Sequence, residues 1–177
     1  MVMQRRVKML VEDDALPAAV SDGAGERARL FVEAFAEGWR APADGDALAD
    51  HFEPWLQPDY RFVHPFSRAV GVGATAFREA FARPLFGVLS DVQGSVESWA
   101  HRGDTVYIAL RLKAEVGRRR VTVHVCDRVR LVDGRAAERF TYADVTPLLS
   151  AAVRTPRSWW RILRWRFDDA RAARRSK

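Results

Sequence analysis

The chain has 177 residues, 48% of them hydrophobic and 29% charged; this length suits one domain with tails, and this mixture excludes a disordered or low-complexity chain. Cys126 is the only cysteine, which excludes an internal disulfide and a cysteine-based metal cluster. The net charge of +6 is unevenly placed: residues 150–177 carry nine basic and two acidic side chains against 20 and 21 in the rest, so the domain is nearly neutral, no nucleic-acid partner is expected, and any nucleic-acid or membrane contact rests on the tail.

No run approaches the ~20 apolar residues of a membrane-spanning helix, and the start, MVMQRRVKMLVEDD, lacks the apolar stretch of a signal peptide. A cytoplasmic location is expected. Residues 1–24 show no sustained periodicity and read as a loosely ordered leader. From Glu26 the spacing of Leu30, Phe31, Ala34, Phe35 and Trp39 predicts a first helix ending near Gly38. Ala47, Leu48, His51 and Phe52 predict a second, shorter helix, closed by Pro54 and Pro58. Asp59–Phe66 reads as a short strand. After Gly71 and Gly73, a third helix carries Phe77, Phe81 and Leu85 on one stripe.

Beyond Gly87 the period falls to two. Val88–His101 reads as a strand with an irregularity near Gly94, and Thr105–Val116 as its partner. Arg120–Val132 forms a long third strand with Val121, Val123, Val125, Val129 and Leu131 on one face. Asp133-Gly134 is a hairpin turn, and Ala136–Asp144 closes the sheet. Helices first and antiparallel strands after them define an α+β fold, with the helices packed into the concave face of a bent sheet.

Four polar positions stand out. Asp127 has the parity of the apolar face of its strand, where a carboxylate is costly unless it is paired or protonated. It is either a pocket group, or an ion-pair partner of an arginine such as Arg111, or turned outward by a bulge. His64, in Phe62-Val63-His64-Pro65-Phe66, is either an acid–base group or a core histidine with a backbone partner. Glu138, Phe140, Tyr142 and Asp144 share one parity of the last strand. Tyr142 there would place a phenol in the cavity. Asp144 would sit at its rim or cap the turn into Leu148-Leu149.

In element order, residues 26–149 resemble the NTF2-like superfamily, whose cone-shaped barrel packs three N-terminal helices into a curved antiparallel sheet. Asp59-Tyr60-Arg61-Phe62-Val63-His64-Pro65-Phe66 resembles the ketosteroid isomerase segment whose catalytic aspartate lies just before Pro-Phe, and His64 holds that base position. Asp127-Arg128-Val129-Arg130-Leu131, ahead of the Asp-Gly turn, resembles the segment with that family's oxyanion-hole aspartate, matched by Asp127. The oxyanion tyrosine falls near Phe31, which has no hydroxyl, and the base is His rather than Asp, so steroid isomerisation itself is not implied. The pattern Glu138-x-Phe140-x-x-x-Asp144 is similar to SnoaL-like polyketide cyclases, where an acidic residue nearby does acid–base work.

The resemblance implies cofactor-free acid–base chemistry (isomerisation, cyclisation or epoxide opening) on a hydrophobic small molecule, or a non-catalytic binding or accessory domain with the same cavity. His64, Asp127 and Asp144 would be catalytic; Tyr142, Phe31, Phe35, Trp39, Phe62 and Phe140 would line the ligand. Gly71-Val72-Gly73-Ala74-Thr75-Ala76 matches a dinucleotide fingerprint but lacks the surrounding βαβ unit. His51, His64, His101 and His124 have no metal-ligand spacing, and no metal is expected. The outer face with His124, Cys126 and Arg128 suits a homodimer. The basic, Trp-rich tail 150–177 reads as an extra C-terminal helix. Its segment 154–167 has Trp159, Trp160, Ile162, Leu163 and Phe167 in one arc, for packing on the barrel or partner subunit, or for contact with a membrane surface.

Overall fold

The computed structural model describes residues 23–65 and 70–153. Helix α1 (Gly23–Arg40) starts two residues inside the expected leader and buries Phe31, Val32, Phe35 and Trp39 on one face. Helix α2 (Gly45–Phe52) is capped by Asp44, whose carboxylate accepts the Ala47 N–H at 2.8 Å. A 3₁₀ turn (Glu53–Trp55) leads into strand β1 (Leu56–Val63). This strand begins three residues before its expected start. Pro58, read as a helix stop, lies within β1, where a register shift between Leu56 and Arg61 removes the demand for its missing N–H.

After the short β2 (Gly71–Val72) comes one broken helix: α3 (Gly73–Ala76), a π-helical stretch (Phe77–Ala82) and α4 (Arg83–Val88). Phe77, Phe81 and Leu85 recur every fourth residue, a longer period than the 3.6 of an α-helix. The wide π turn keeps all three buried on one side. Four long strands complete the chain: β3 (Ser90–Arg102), β4 (Thr105–Val116), β5 (Arg119–Val132) and β6 (Arg135–Ala143). The last element, α5 (Thr146–Val153), runs across the domain boundary expected after residue 149. The tail segment 154–167 lies outside the described residues.

The six-stranded sheet has the order β2-β1-β6-β5-β4-β3. Its pairings are antiparallel except β1 with β6, which are parallel. The helices bury their aromatic stripes in the concave face, as the α+β cone predicts. At Gly94 of β3 a Cβ would lie 2.8 Å from the Trp39 Cβ, so the missing side chain lets the end of α1 rest on the sheet. β5 and β6 meet at Asp133-Gly134, both with positive φ (50° and 79°), the type I′ geometry that the dipeptide implies.

Between Arg130 and Leu131 the β5–β6 register shifts. Leu131 pairs with Ala136 but Arg130 pairs with Glu138, which leaves Ala137 as an extra residue. Ala136 and Ala137 are both buried, as a bulge requires. This single inserted residue decides which side chains of β6 enter the concave face.

Candidate functional site

An apolar cavity lies between the helices and the sheet, lined by Trp39, Phe81, Leu85, Leu110, Val123 and Leu148 among others, with His64, Arg139 and Thr141 as its polar members. To a water molecule it offers about 40 Å³, room for a few waters with the side chains as they stand. Tyr60, Phe62 and His64 alternate onto the inner face of β1, and Pro65 follows directly, so His64 sits at the strand's open end. β1 pairs Phe62 with Arg139 and Val63 with Phe140, and one further step brings His64 level with Thr141. His64 is 3% exposed. Its ring stacks on Phe62 at 6.0 Å and meets the edge of Phe81 at 5.1 Å.

Asp127 is fully buried and is not a wall of the cavity. Both its oxygens are taken: Arg139 Nε donates to Oδ1 at 2.9 Å and an Arg139 terminal nitrogen to Oδ2 at 2.8 Å. The Thr141 hydroxyl also donates to Oδ1. Both oxygens therefore accept within an ion pair, an arrangement different from the hydrogen-bond-donating Asp127 that the ketosteroid isomerase resemblance implies. Of the readings open for Asp127, the ion pair holds, with Arg139 rather than Arg111. Arg111 instead lies 3.4 Å from Glu97.

Arg139 is 6% exposed, and its guanidinium lies over the rings of Phe35 (5.4 Å), Phe81 (5.4 Å) and Trp39 (5.9 Å). Burial opposes its charge, but the carboxylate of Asp127 and the Tyr60 hydroxyl outweigh that and hold its pKa above the usual arginine value. Burial pushes the Tyr60 phenol up, the Arg139 charge pulls against this, and the Asp127 charge adds to it. Asp127, Arg139, Thr141 and Tyr60 thus form one connected polar cluster, with Arg139 and Thr141 in the cavity wall and Asp127 and Tyr60 behind it.

The bulge overturns the expected parity of β6. With the hairpin turn alone setting the register, Asp127 would oppose Phe140; the extra Ala137 sets it opposite Thr141 instead. Arg139, Thr141 and Ala143 therefore point inward, and Tyr142 is 58% exposed on the outer face rather than in the cavity. Phe140 also faces outward, under the Arg128 guanidinium at 4.6 Å. Asp144 accepts the Thr146 N–H at 3.0 Å at the start of α5, the capping role. Hydrogen bonds from the Thr146 side chain and backbone hold its carboxyl below the usual range. Tyr142 and Asp144 border an open depression on the outer sheet face, with Glu97, His124 and Cys126.

Of the expected aromatic lining, Trp39 reaches the cavity, while Phe31, Phe35 and Phe62 belong to the surrounding core. Arg139 and Thr141 are the polar positions that sequence reasoning missed. The signal for them was indirect: a buried carboxylate at position 127 demands a cation on a neighbouring strand. No group of three or more His, Cys, Asp or Glu among the described residues could hold a metal.

A curved sheet wrapped around helices, with a cavity between them, is the architecture of NTF2-like domains. The profile of the SnoaL-like domain matches residues 28–139, and the chain belongs to that family. No curated protein matches it in sequence. Among solved structures it is similar to a candidate SnoaL-like polyketide cyclase from Jannaschia sp. CCS1, at 22% identity over 71% of this chain and 91% of that one, TM-score 0.60. It is also similar to an LEH-like epoxide hydrolase from M. tuberculosis (20% identity, 73% and 91% covered, TM-score 0.54) and to TerC co-crystallised with polyporic acid (17%, 71% and 97%, TM-score 0.61). At these identities the likeness is one of fold.

Proposed function

We propose that the chain is a SnoaL-like enzyme that performs acid–base chemistry on a hydrophobic small molecule in the internal cavity, with His64 carrying the proton. The observation behind this reading is that His64, Arg139 and Thr141 line one otherwise apolar cavity. An imidazole has an ordinary pKa near neutrality, so it can take a proton from a carbon acid or return one to a leaving oxygen. Asp127 acts behind the wall, positioning Arg139. Isomerisation, aldol-type cyclisation and epoxide opening each need only a proton carrier and a group that stabilises charge on oxygen. The similarity to structures described as a polyketide cyclase and an epoxide hydrolase supports this range.

The test is deuterium exchange at the α-carbons of 2-tetralone, an apolar ketone, followed by ¹H NMR in D₂O with wild type and His64→Gln. The variant is expected to lose about 100-fold or more of any enzymatic acceleration while keeping its circular dichroism spectrum. Equal exchange by the two proteins refutes the role of His64. A second reading, a non-catalytic binding domain, draws support from the pairing of Asp127, which leaves His64 the one imidazole among the described cavity residues with no carboxylate beside it in the lining. Two further proposals accompany the first. Tyr107 and Tyr142 are exposed beside His124, Cys126 and Arg128 on the outer sheet face, which supports a homodimer through that face, measurable by light scattering. A cytoplasmic location accords with the described helices, none of which is long and apolar enough to cross a membrane.

A further inference from the structure

The strand directions gather several features at one end of the sheet. β4 runs against β3 and β5, β5 runs against β6, and β6 is parallel to β1. The ends of β1, β4 and β6 therefore meet the starts of β3 and β5 there. Pro65 after β1, Leu89 before β3, Ala143 closing β6 and Leu148 of α5 all line the apolar cavity, so the cavity reaches toward this end.

The rim of the cavity end is apolar and basic. Pro65, Val70 and Leu149 are exposed there; Val70 precedes the first residue of β2, which pairs with Phe62. Helix α5 has no charged side chain. The turn from β4 to β5 presents Arg118, Arg119 and Arg120, all exposed, and Lys113 is exposed on β4 close by. Of the nearby acids, Glu115 answers Arg120 at 3.4 Å and Asp144 caps α5. α5 packs on β5 and β4, beyond the last residue of β6, so the chain leaves the domain at this same end. The residues that follow Val153 in the sequence hold nine basic and two acidic side chains, together with Trp159, Trp160 and Trp165.

We infer that the cavity end of the domain, with the basic residues after Val153, docks on the surface of an anionic phospholipid bilayer. Charge complementarity selects the surface: each basic side chain close to an anionic leaflet adds to the attraction, and indoles favour the boundary between lipid and water. Nucleic acid would also answer the charge. Exposed Pro65, Val70 and Leu149 beside an uncharged helix gain nothing from a phosphate backbone, however, and do gain from lipid. With its cavity end on lipid, the domain takes up an apolar molecule without that molecule crossing water, a consequence that rests on the proposal that the cavity is the binding site.

The test is co-sedimentation of the full chain with vesicles of phosphatidylcholine, alone or with a third phosphatidylserine, at low and high salt. In a Cys126→Ser background, an environment-sensitive fluorophore is attached at Leu149→Cys, at the cavity end, or at Asp104→Cys, in the exposed turn at the opposite end. Binding is expected to be about ten-fold tighter to the anionic vesicles and to weaken in high salt. The fluorophore at position 149 shifts to the blue on binding and the one at 104 does not. Arg118→Glu/Arg119→Glu lowers binding about five-fold or more with an unchanged circular dichroism spectrum, and Trp159→Ser/Trp160→Ser also lowers it. Equal binding to the two kinds of vesicle, or binding to neither, overturns the inference. So does an unshifted fluorophore at 149, or full binding by Arg118→Glu/Arg119→Glu, since the domain then takes no part. Tighter binding to a short RNA duplex than to vesicles at equal phosphate concentration assigns the basic surface to nucleic acid and also overturns it. The exchange assay on His64 needs no vesicles, so the two proposals fail separately.

Discussion

Replacing Arg139 by Met removes the partner of a carboxylate that has no access to water. The Thr141 hydroxyl remains as a donor but brings no charge. Losing one member of a buried pair costs about 3–5 kcal/mol. An independent limit comes from the escape open to Asp127, which can take up a proton. Protonating an aspartate of ordinary pKa about 3.9 at pH 7 costs about 4 kcal/mol, at 1.36 kcal/mol per unit. At pH 5 the same step costs only about 1.5 kcal/mol. The sign follows from proton binding: folded Arg139→Met holds a proton that its unfolded chain releases above pH 4, so its stability falls as pH rises. Urea unfolding followed by far-UV circular dichroism at pH 5 and pH 7 measures both values. The double variant Asp127→Leu/Arg139→Met, which removes both charges, should return to within about 2 kcal/mol of wild type. A single-variant cost below about 1 kcal/mol at pH 7, or one that is the same at pH 5, refutes the account of the pair as an ionised, water-excluded unit.

Three other perturbations probe the frame of the cavity. Gly94→Ala puts a Cβ 2.8 Å from the Trp39 Cβ and 2.9 Å from its carbonyl oxygen; the expected loss is about 1–3 kcal/mol in denaturant unfolding. Tyr60→Phe removes a buried phenol whose pKa is raised by burial, so above pH 10 the folded wild type keeps a proton that the unfolded chain loses. Wild-type stability should therefore fall with pH there, with Tyr60 contributing at most about 1.4 kcal/mol per pH unit, and the variant should lack that part of the slope. Asp144→Asn keeps an acceptor for the Thr146 N–H and removes a charge whose pKa is lowered in the fold. The ionised form stabilises above the ordinary aspartate pKa and ceases to as pH falls below it, so the difference between wild type and variant should shrink in acid unfolding.

The frame was legible because its signals are local. The spacing of Phe31, Phe35 and Trp39, the alternation through β4 and β5, and the Asp133-Gly134 turn are each set within a few residues. The start of β1 was displaced because Pro58 signals a stop only where its N–H is needed, and a neighbouring strand decides that. Asp127 was legible as an anomaly for the same reason that it is structurally informative. A charge on an apolar face has to be answered by another group, and sequence alone does not say which strand provides the answer.

The remaining difference turns on Ala137. Alternation over Ala136–Asp144 offers two faces: Glu138, Phe140, Tyr142 and Asp144, or Arg139, Thr141 and Ala143. Composition favours neither, since each contains charged and apolar members. A two-residue turn with regular pairing selects the first face, carrying an acid and a phenol inward. That arrangement would leave Asp127 opposite Phe140, with no cation on the same face of β6. The bulge at Ala137 reverses the choice, and two small alanines, both buried, make room for it. Asp127 thereby gains Arg139 and Thr141, and the wall of the cavity changes from acidic and hydroxylated to cationic and hydrogen-bond-donating. Burial of one carboxylate on β5 thus selects the face of β6, and that face sets the chemistry the cavity offers to a ligand.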